Sequence, residues 1–383
     1  MDSGAIQKLK DLWAKKAKRN DYLKITNEQM LSNLSLVTND GLNYACLILL
    51  GKKEIIDRLL PDAEVIFEWR QDPKKTAHDF RKSWRAPFIF IYDEIWETIN
   101  SRNIRIPLQE GLFQREIFAF DEKSVREALL NAVTHRDYTI KGRSIFIKTS
   151  PSDFFIESPG GFVQGVTIEN ILSRSAWRNR RLAETFEKAG LVERSGQGMN
   201  DIFEITMKEG KGLPDLSKSD AFSVRLNIPA QVKDKNFVLF LEKVANEKQV
   251  ILSFEEIYEL EKIREQEVIS NAEYKKRFLD LGIIEQVGRT KGAKYILSHN
   301  YYAYKGKIGI HTRLAGLSRN QKKELILKHL TTKGKGFSKD FQDVFPELKS
   351  RDINNLMQEL KRDGKVIHEG SKKSGYWVLA EGN

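Results

Sequence analysis

Apolar positions recur along this chain at two periods, and the switches between them divide it into elements. Residues 5–18 place apolar side chains at helical spacing among charges and predict a helix. The dense apolar runs at 42–50 and 63–69 predict buried strands. A second helical pattern opens at Val125 and runs through Ala132, with Asp121 or Ser124 available as its N-cap. Residues 144–149 and 153–157 then read as strands, followed by a glycine turn at 158–161 and an arginine-rich stretch at 174–181. A helix through Ala189, a glycine cluster at 196–198, another helix and a strand at 222–228 ending at Pro229 complete one α/β block. The charged segment 233–235 reads as a hinge.

Beyond that hinge one order of elements appears twice. Helices at 237–246, 254–262 and 266–281 precede strands at 283–287 and 293–297, joined at Lys291-Gly292. Helices at 320–331, 339–345 and 350–363 precede strands at 366–369 and 375–379, joined by 371–374. Both sets read as winged helices, and Gly282 and Gly364 stand where a left-handed helix stop turns the chain into the wing. The expected domains are therefore an N-terminal α/β region (1–115), a central block (116–231) and two winged helices (236–300 and 315–381).

With 383 residues, 40% of them hydrophobic, the chain can build several cores. Its longest apolar run, around 45–50, falls far short of the ~20 residues that span a bilayer, and no secretory signal opens the sequence. Membrane and export readings are set aside. One cysteine, Cys46, excludes an internal disulfide and a cysteine-rich metal site, so a reducing cytoplasm is expected. Lys plus Arg and Asp plus Glu balance at 44 each through residue 287, whereas 288–383 holds 20 against 9, so the whole excess of +11 lies in the last quarter. A module that meets a polyanion has that footprint, and so does a lysine-rich solubilising surface.

The second winged helix is the better equipped of the two for duplex DNA. Ser350 can cap its third helix, Arg351, Asn354, Asn355 and Gln358 lie near one helical face, and Lys372 and Lys373 lie in the wing. Those groups suit base edges and phosphates. The first copy carries Glu255, Glu256, Glu259 and Glu261 in its second helix, and winged helices also serve as protein-binding modules.

Candidate chemistry sits in the central block. Glu127 and Asn131 are four apart, hence one turn apart on one helical face. A carboxylate there can activate a water and an amide oxygen can ligate Mg²⁺, although a plain surface pair has the same spacing. The turn Ser158-Pro159-Gly160-Gly161 follows a strand, and Gly196-Gln197-Gly198 precedes a helix whose first amides can hold phosphate. No G-x-x-x-x-G-K-[ST] phosphate loop exists, which removes the helicase reading. His135-Arg136-Asp137 is not a kinase catalytic loop, since Gly142 stands where that loop needs Asn. The six histidines form no zinc pattern.

The strings REALLNAVTHRDY (126–138), IESPGGF (156–162), RNRRLA (178–183), GLVERSGQG (190–198) and GLPD (212–215) resemble the bacterial GHKL-type ATP-binding family of transcriptional regulators and helicase-related proteins. That resemblance implies an α+β chain in which an α/β-sandwich Bergerat-fold ATPase-like domain precedes winged helices. It makes Glu127 the water-activating base and Asn131 the Mg²⁺ ligand, sets Gly160 and Gly161 against the adenine end of an ATP pocket, and sets Gly196 and Gly198 against the phosphates. Arg174, Arg178, Arg180 and Arg181 fall in the ATP lid, where a guanidinium neutralises the γ-phosphate. Related ATPases read the adenine amino group with an Asp at the start of the first glycine box. Here Glu157 or Ser158 holds that place, and Pro159 replaces the first glycine of the box. Many members also carry an N-terminal Schlafen/AlbA-like module, and this chain is expected to begin after the point where it would end. The expected function is a nucleotide-gated DNA-binding regulator using ATP and Mg²⁺, compatible with slow ATP hydrolysis and with a homodimer. The alternatives are the ATPase of a multi-protein defence or repair system, whose winged helices hold protein, and a DNA-binding regulator with a vestigial pocket.

Overall fold

The computed structural model describes all residues except 111–112, 193–197, 270, 288–292, 299–300, 302–318, 346–347, 372–374 and 381–383. The chain divides into two compact units, residues 1–241 with 251–261, and residues 242–250 with 262–383.

In the first unit the chain passes through α1 (Ser3–Ala17), α2 (Asn27–Asn33), the short hairpin β1 (Val37–Thr38) and β2 (Gly41–Leu42), α3 (Tyr44–Leu50) and α4 (Lys53–Leu59). It continues with β3 (Val65–Trp69), β4 (Phe80–Trp84), α5 (Phe88–Asn100) and the hairpin β5 (Arg105–Glu110) and β6 (Phe113–Phe118). Then come α6 (Glu122–His135), β7 (Ile145–Ser150), β8 (Asp153–Pro159), α7 (Arg180–Lys188), α8 (Gly198–Lys208) and β9 (Ser223–Pro229).

The run at 42–50, expected as a strand, is helical from Tyr44. Asn43 Oδ1 accepts from the Cys46 amide at 3.0 Å and caps α3, whose Ala45, Cys46, Ile48, Leu49 and Leu50 are buried. An unbroken apolar run suits a buried helix as well as a buried strand, and the cap decides between them.

Five strands form one sheet in the order β4-β3-β7-β8-β9, with β3 and β7 parallel and the other neighbours antiparallel. The segment 1–115 therefore supplies two strands to the sheet that carries the central block. Ile145, Ile147, Phe154, Ile156, Ser158, Leu226 and Ile228 are buried, and the alternate positions Phe146, Lys148, Phe155, Glu157 and Arg225 are half-buried on the opposite face. Helix α6 packs on the buried face. Its outer side is fixed to α5 by Arg126, which bonds Glu122 at 2.7 Å and Asp93 at 2.9 Å and lies over the Tyr92 ring. Phe88 of α5 meets Phe186 of α7 with ring centroids 5.5 Å apart. Each such fully buried large side chain stabilises the fold by about 1.5–3 kcal/mol.

The segment 233–235, expected as a hinge, is tied down. The amides of Lys233 and Asp234 both donate to Gly210 O, and Asp234 Oδ1 accepts from the amides of Asn236 and Phe237 at the start of α9 (Lys235–Lys248). Helix α10 (Phe254–Gln266) follows.

The second unit holds α11 (Ala272–Asp280), β10 (Ile284–Val287) and β11 (Lys294–Leu297), then α12 (Arg319–Lys333), α13 (Ser338–Val344), α14 (Ser350–Arg362), β12 (Val366–Glu369) and β13 (Tyr376–Leu379). Both strand pairs are antiparallel hairpins. The helix expected over 266–281 is split: Glu267 takes a left-handed φ of 58° and α11 restarts behind its cap, Asn271. Gly282 and Gly364 have φ of 67° and 69° and end α11 and α14 as the sequence requires. Around α14, Ile326, Leu330, Phe341, Ile353, Leu356 and Trp377 belong to one buried cluster. Ser350 does not cap this helix. It is already the first helical residue, Lys349 occupies the cap position, and the Ser350 hydroxyl bonds Gln342 Oε1 at 3.1 Å. The expected joint at Lys291-Gly292 and most of that at 371–374 lie outside the described residues.

Candidate functional site

The Asp121 side chain accepts from the Ser124 amide at 2.8 Å and starts α6, which sets the rotation of everything after it. Residues 127, 128, 131, 132 and 135 then share one face, at i, i+1, i+4, i+5 and i+8. That face forms one wall of a cavity of about 950 Å³, counting the open space at its mouth. Ile156 and Ser158 of β8 and Val224 and Leu226 of β9 form the floor, the segment 161–177 a second wall, and Gly198 and Met199 at the start of α8 one end. Glu127 and His135 are eight residues apart on α6, about 12 Å along its axis.

Glu127 and Asn131 both line the cavity. The Glu127 carboxylate lies against Gly198, and α6 is joined to α8 beside it by the ion pair of Lys123 with Asp201 at 3.1 Å. The Asn131 amide makes no hydrogen bond among the described residues. Gly196 lies outside the described residues.

At the other end stands His135, with its pKa lowered to about 4 by burial first and by the nearby Arg178 charge second. It is neutral at neutral pH. Arg178 does not reach into the cavity as a free cation. Its guanidinium bonds Asp137 Oδ2 at 3.2 Å and Gly161 O at 2.6 Å, clamping the glycine turn to the end of α6. Thr139, first, and then Arg178 hold the Asp137 carboxyl below its usual range. The Asp137 amide donates to Pro159 O at 2.8 Å, and Gly160, with φ of 99°, is packed against Asp137, where a Cβ would come within 2.7 Å of the Asp137 Cβ. Gly160 thus serves the turn and is not on the cavity wall, whereas Gly161 is. Asn179 completes the brace by donating to Thr134 O and Arg136 O.

The two candidates for the start of the glycine box are separated by strand parity. Glu157 faces away from the cavity and bonds Arg143 at 2.5 Å, with Arg225 at 3.5 Å. Ser158 faces the cavity and donates from Oγ to Ala132 O at 2.8 Å. Of the arginine stretch, Arg180 and Arg181 pair with Glu184 on the exposed side of α7 and do not line the cavity. Arg174 does line it, with no side-chain partner among the described residues. His135, Asn179 and Trp177 take part in this site without having been singled out as ligand-binding residues. Their common sequence signal is adjacency to the motifs, at 135 beside the helix end and at 177–179 before α7.

Among the described residues no group of three or more His, Cys, Asp or Glu side chains could hold a metal ion. Mg²⁺ does not require one, because it keeps several waters and is held by one or two protein oxygens together with substrate phosphates, which supply most of the negative charge around it. An unbonded amide at Asn131, facing the cavity, fits that mode.

In the second unit, Arg351, Asn354, Asn355 and Gln358 are all exposed on α14, opposite the buried Ile353, Leu356, Met357 and Leu360. Lys372 and Lys373 lie outside the described residues. No helix among the described residues is long and apolar enough to cross a membrane.

Residues 142–226 match the ATPase-like domain family HATPase_c_4, described as "Putative ATP-dependent DNA helicase recG C-terminal", and residues 1–66 match a domain family of unknown function. No curated protein matches the sequence. Among solved structures the chain is similar to the DIP2311 protein from Corynebacterium diphtheriae, at 17% identity and a TM-score of 0.60 over 97% of this chain and 67% of that one. That likeness is one of fold.

Proposed function

We propose that the cavity binds ATP with Mg²⁺ and that nucleotide occupancy governs binding of duplex DNA by the second unit. One observation carries the nucleotide half: Glu127, Asn131 and Gly198 converge on one cavity whose floor is apolar except for Ser158. A flat base suits Ile156, Val224 and Leu226, while the polar end at Glu127 suits a hydrated phosphate chain. Asn131 Oδ1 would hold the metal, which when bound neutralises charge on the phosphates. Glu127 lies one turn away, where its carboxylate can accept a proton from a water attacking the terminal phosphate. Arg174 is the cation available to neutralise that phosphate, in place of the clamped Arg178 and the paired Arg181. The matched ATPase-like family supports this reading at the level of nucleotide binding.

The DNA half rests on the basic last quarter of the chain and on the exposed polar face of α14. The helix–helix–helix–hairpin order fits a winged helix, whose third helix enters the major groove. A ligand biases such a switch only as far as it binds the two states differently.

The test is a thermal shift of the full chain with Mg-ATP. Nucleotide at 100 times Kd adds ~2.7 kcal/mol of stability. Glu127→Gln is expected to keep that shift and to abolish any phosphate release. Turnover that survives the substitution would remove Glu127 from the role of base, and an absent shift would remove the nucleotide reading.

A further inference from the structure

Charge balances over the first 287 residues taken together, but not locally. Residues 15–24, the last turn of α1 and the turn that follows it, hold five cations and one carboxylate. Arg19 and that carboxylate, Asp21, pair with each other, and the Arg19 guanidinium lies over the Tyr22 ring, which stacks on Trp13 with centroids 4.2 Å apart. Four lysines remain. Lys15, Lys16, Lys18 and Lys24 are exposed, and none makes an ion pair or a side-chain hydrogen bond among the described residues. Lys188 joins them from α7, its Nζ over the Trp13 ring and bonded to Asn33 O, two residues before Gly190, on which the stem of Lys16 rests. Cations in the last turn of a helix complement its macrodipole, which accounts for Lys15 and Lys16. Lys18 has no such account. It stops the helix with a left-handed φ of 53°, the Arg19 amide closing onto Ala14 O at 3.0 Å, in a position that glycine fills without steric cost. A lysine there carries backbone strain, and its charge makes no contact within the fold that would offset it.

We infer that this surface of the first unit is a nucleic-acid contact, which takes the phosphate backbone of duplex DNA without reading its bases. It goes beyond the face of α14 and does not depend on it. Lysines present point charges to phosphate oxygens, and each phosphate neutralised releases counterions, which drives association. Asn20 and Asn27, exposed among the lysines, add neutral donors of the kind that bond phosphate and sugar. Helices that lie on an anionic membrane set several large apolar side chains beside their lysines, whereas Leu23 is the one large apolar residue among the exposed positions of 15–27. The composition of the surface therefore favours a nucleic acid over a lipid headgroup.

Lysine acetylation of the full chain, read by mass spectrometry with and without a saturating short DNA duplex of arbitrary sequence, locates the contact. Lys15, Lys18 and Lys24 are expected to react at least threefold more slowly in the complex. A bound duplex that leaves all three unprotected overturns this proposal and spares the reading of α14, whereas a duplex that does not bind at all overturns both. Lys18→Gly separates charge from fold. It relieves the left-handed strain, so the melting temperature should hold or rise, while the slope of log affinity against log salt falls by about one. Lys15→Gln with Lys24→Gln, both at exposed positions, should lower that slope by about two more. A slope unmoved by the three substitutions overturns the proposal. Vesicles rich in phosphatidylserine are the counter-probe: protection of the same lysines by vesicles and not by the duplex would make the surface a membrane contact and overturn the nucleic-acid inference.

Discussion

The Glu127 carboxylate rests directly on Gly198, the first residue of α8, so that a Cβ built there would overlap Glu127 Oε1. The side chain proposed to activate water is thus positioned by the absence of a side chain elsewhere. Gly198→Ala must move one of the two. Alanine favours a helix over glycine by roughly 1 kcal/mol, so the fold is expected to survive. Its melting temperature should stay within a few degrees of the native value while phosphate release falls at least tenfold. Unchanged turnover would show that the contact does not set the carboxylate's position.

His135 makes stability depend on pH with a definite sign. Its folded pKa, about 4, lies below the unfolded value near 6.5, so between those values the unfolded chain binds the extra proton. Its share of the stability is complete above pH 6.5 and is lost as pH falls toward 4, up to about 3 kcal/mol. Urea midpoints of the native chain and of His135→Asn, compared from pH 7 to pH 4, should converge or cross as the native chain loses this share. Parallel curves would mean that the imidazole titrates normally.

Arg178 is coupled to that titration. Replacing it with Met removes the clamp between Asp137 and Gly161 and is expected to destabilise the chain by about 2 kcal/mol, the range for hydrogen bonds to charged groups. It also removes the positive charge that lowers the His135 pKa, so the imidazole resonance followed by NMR should titrate at higher pH in Arg178→Met. A destabilised variant with the His135 midpoint unmoved would separate the two roles.

On α14, Arg351→Ala combined with Gln358→Ala should weaken duplex binding by the full chain by roughly 10- to 100-fold and reduce the slope of log affinity against log salt by about one. These residues are exposed and no core group faces them, so the melting temperature should not move. Binding that is insensitive to both substitutions and to salt would turn attention to protein partners.

Much of the site was legible because it is local. The shared face of Glu127 and Asn131 and the β8 strand follow from spacing, whereas the cap was open between Asp121 and Ser124 until the hydrogen bond to the Ser124 amide assigned it to Asp121. What stayed hidden depends on contacts made across the fold. Adjacent Phe154 and Phe155 blur the alternation of β8, so Glu157 and Ser158 could not be separated until burial fixed the parity. Arginines at 174, 178, 180 and 181 look alike in sequence, yet a carbonyl, an aspartate and a glutamate engage three of them and leave Arg174 on the cavity. The helical state of 44–50 rests on one asparagine cap. The pairing of β3 with β7 has no local signal at all.

That last pairing governs how the molecule can assemble. Val65 lies beside Ile145 in a parallel register although the two are 80 positions apart in sequence, and closing so distant a contact is slow and costly in chain entropy. A fragment starting near residue 116 would retain every motif of the cavity and yet leave β7 as a naked strand margin, its apolar residues available to another copy. Such a fragment is expected to precipitate on expression more readily than the full chain, so a piece purified for nucleotide work has to carry β3 and β4 together with the rest of the sheet.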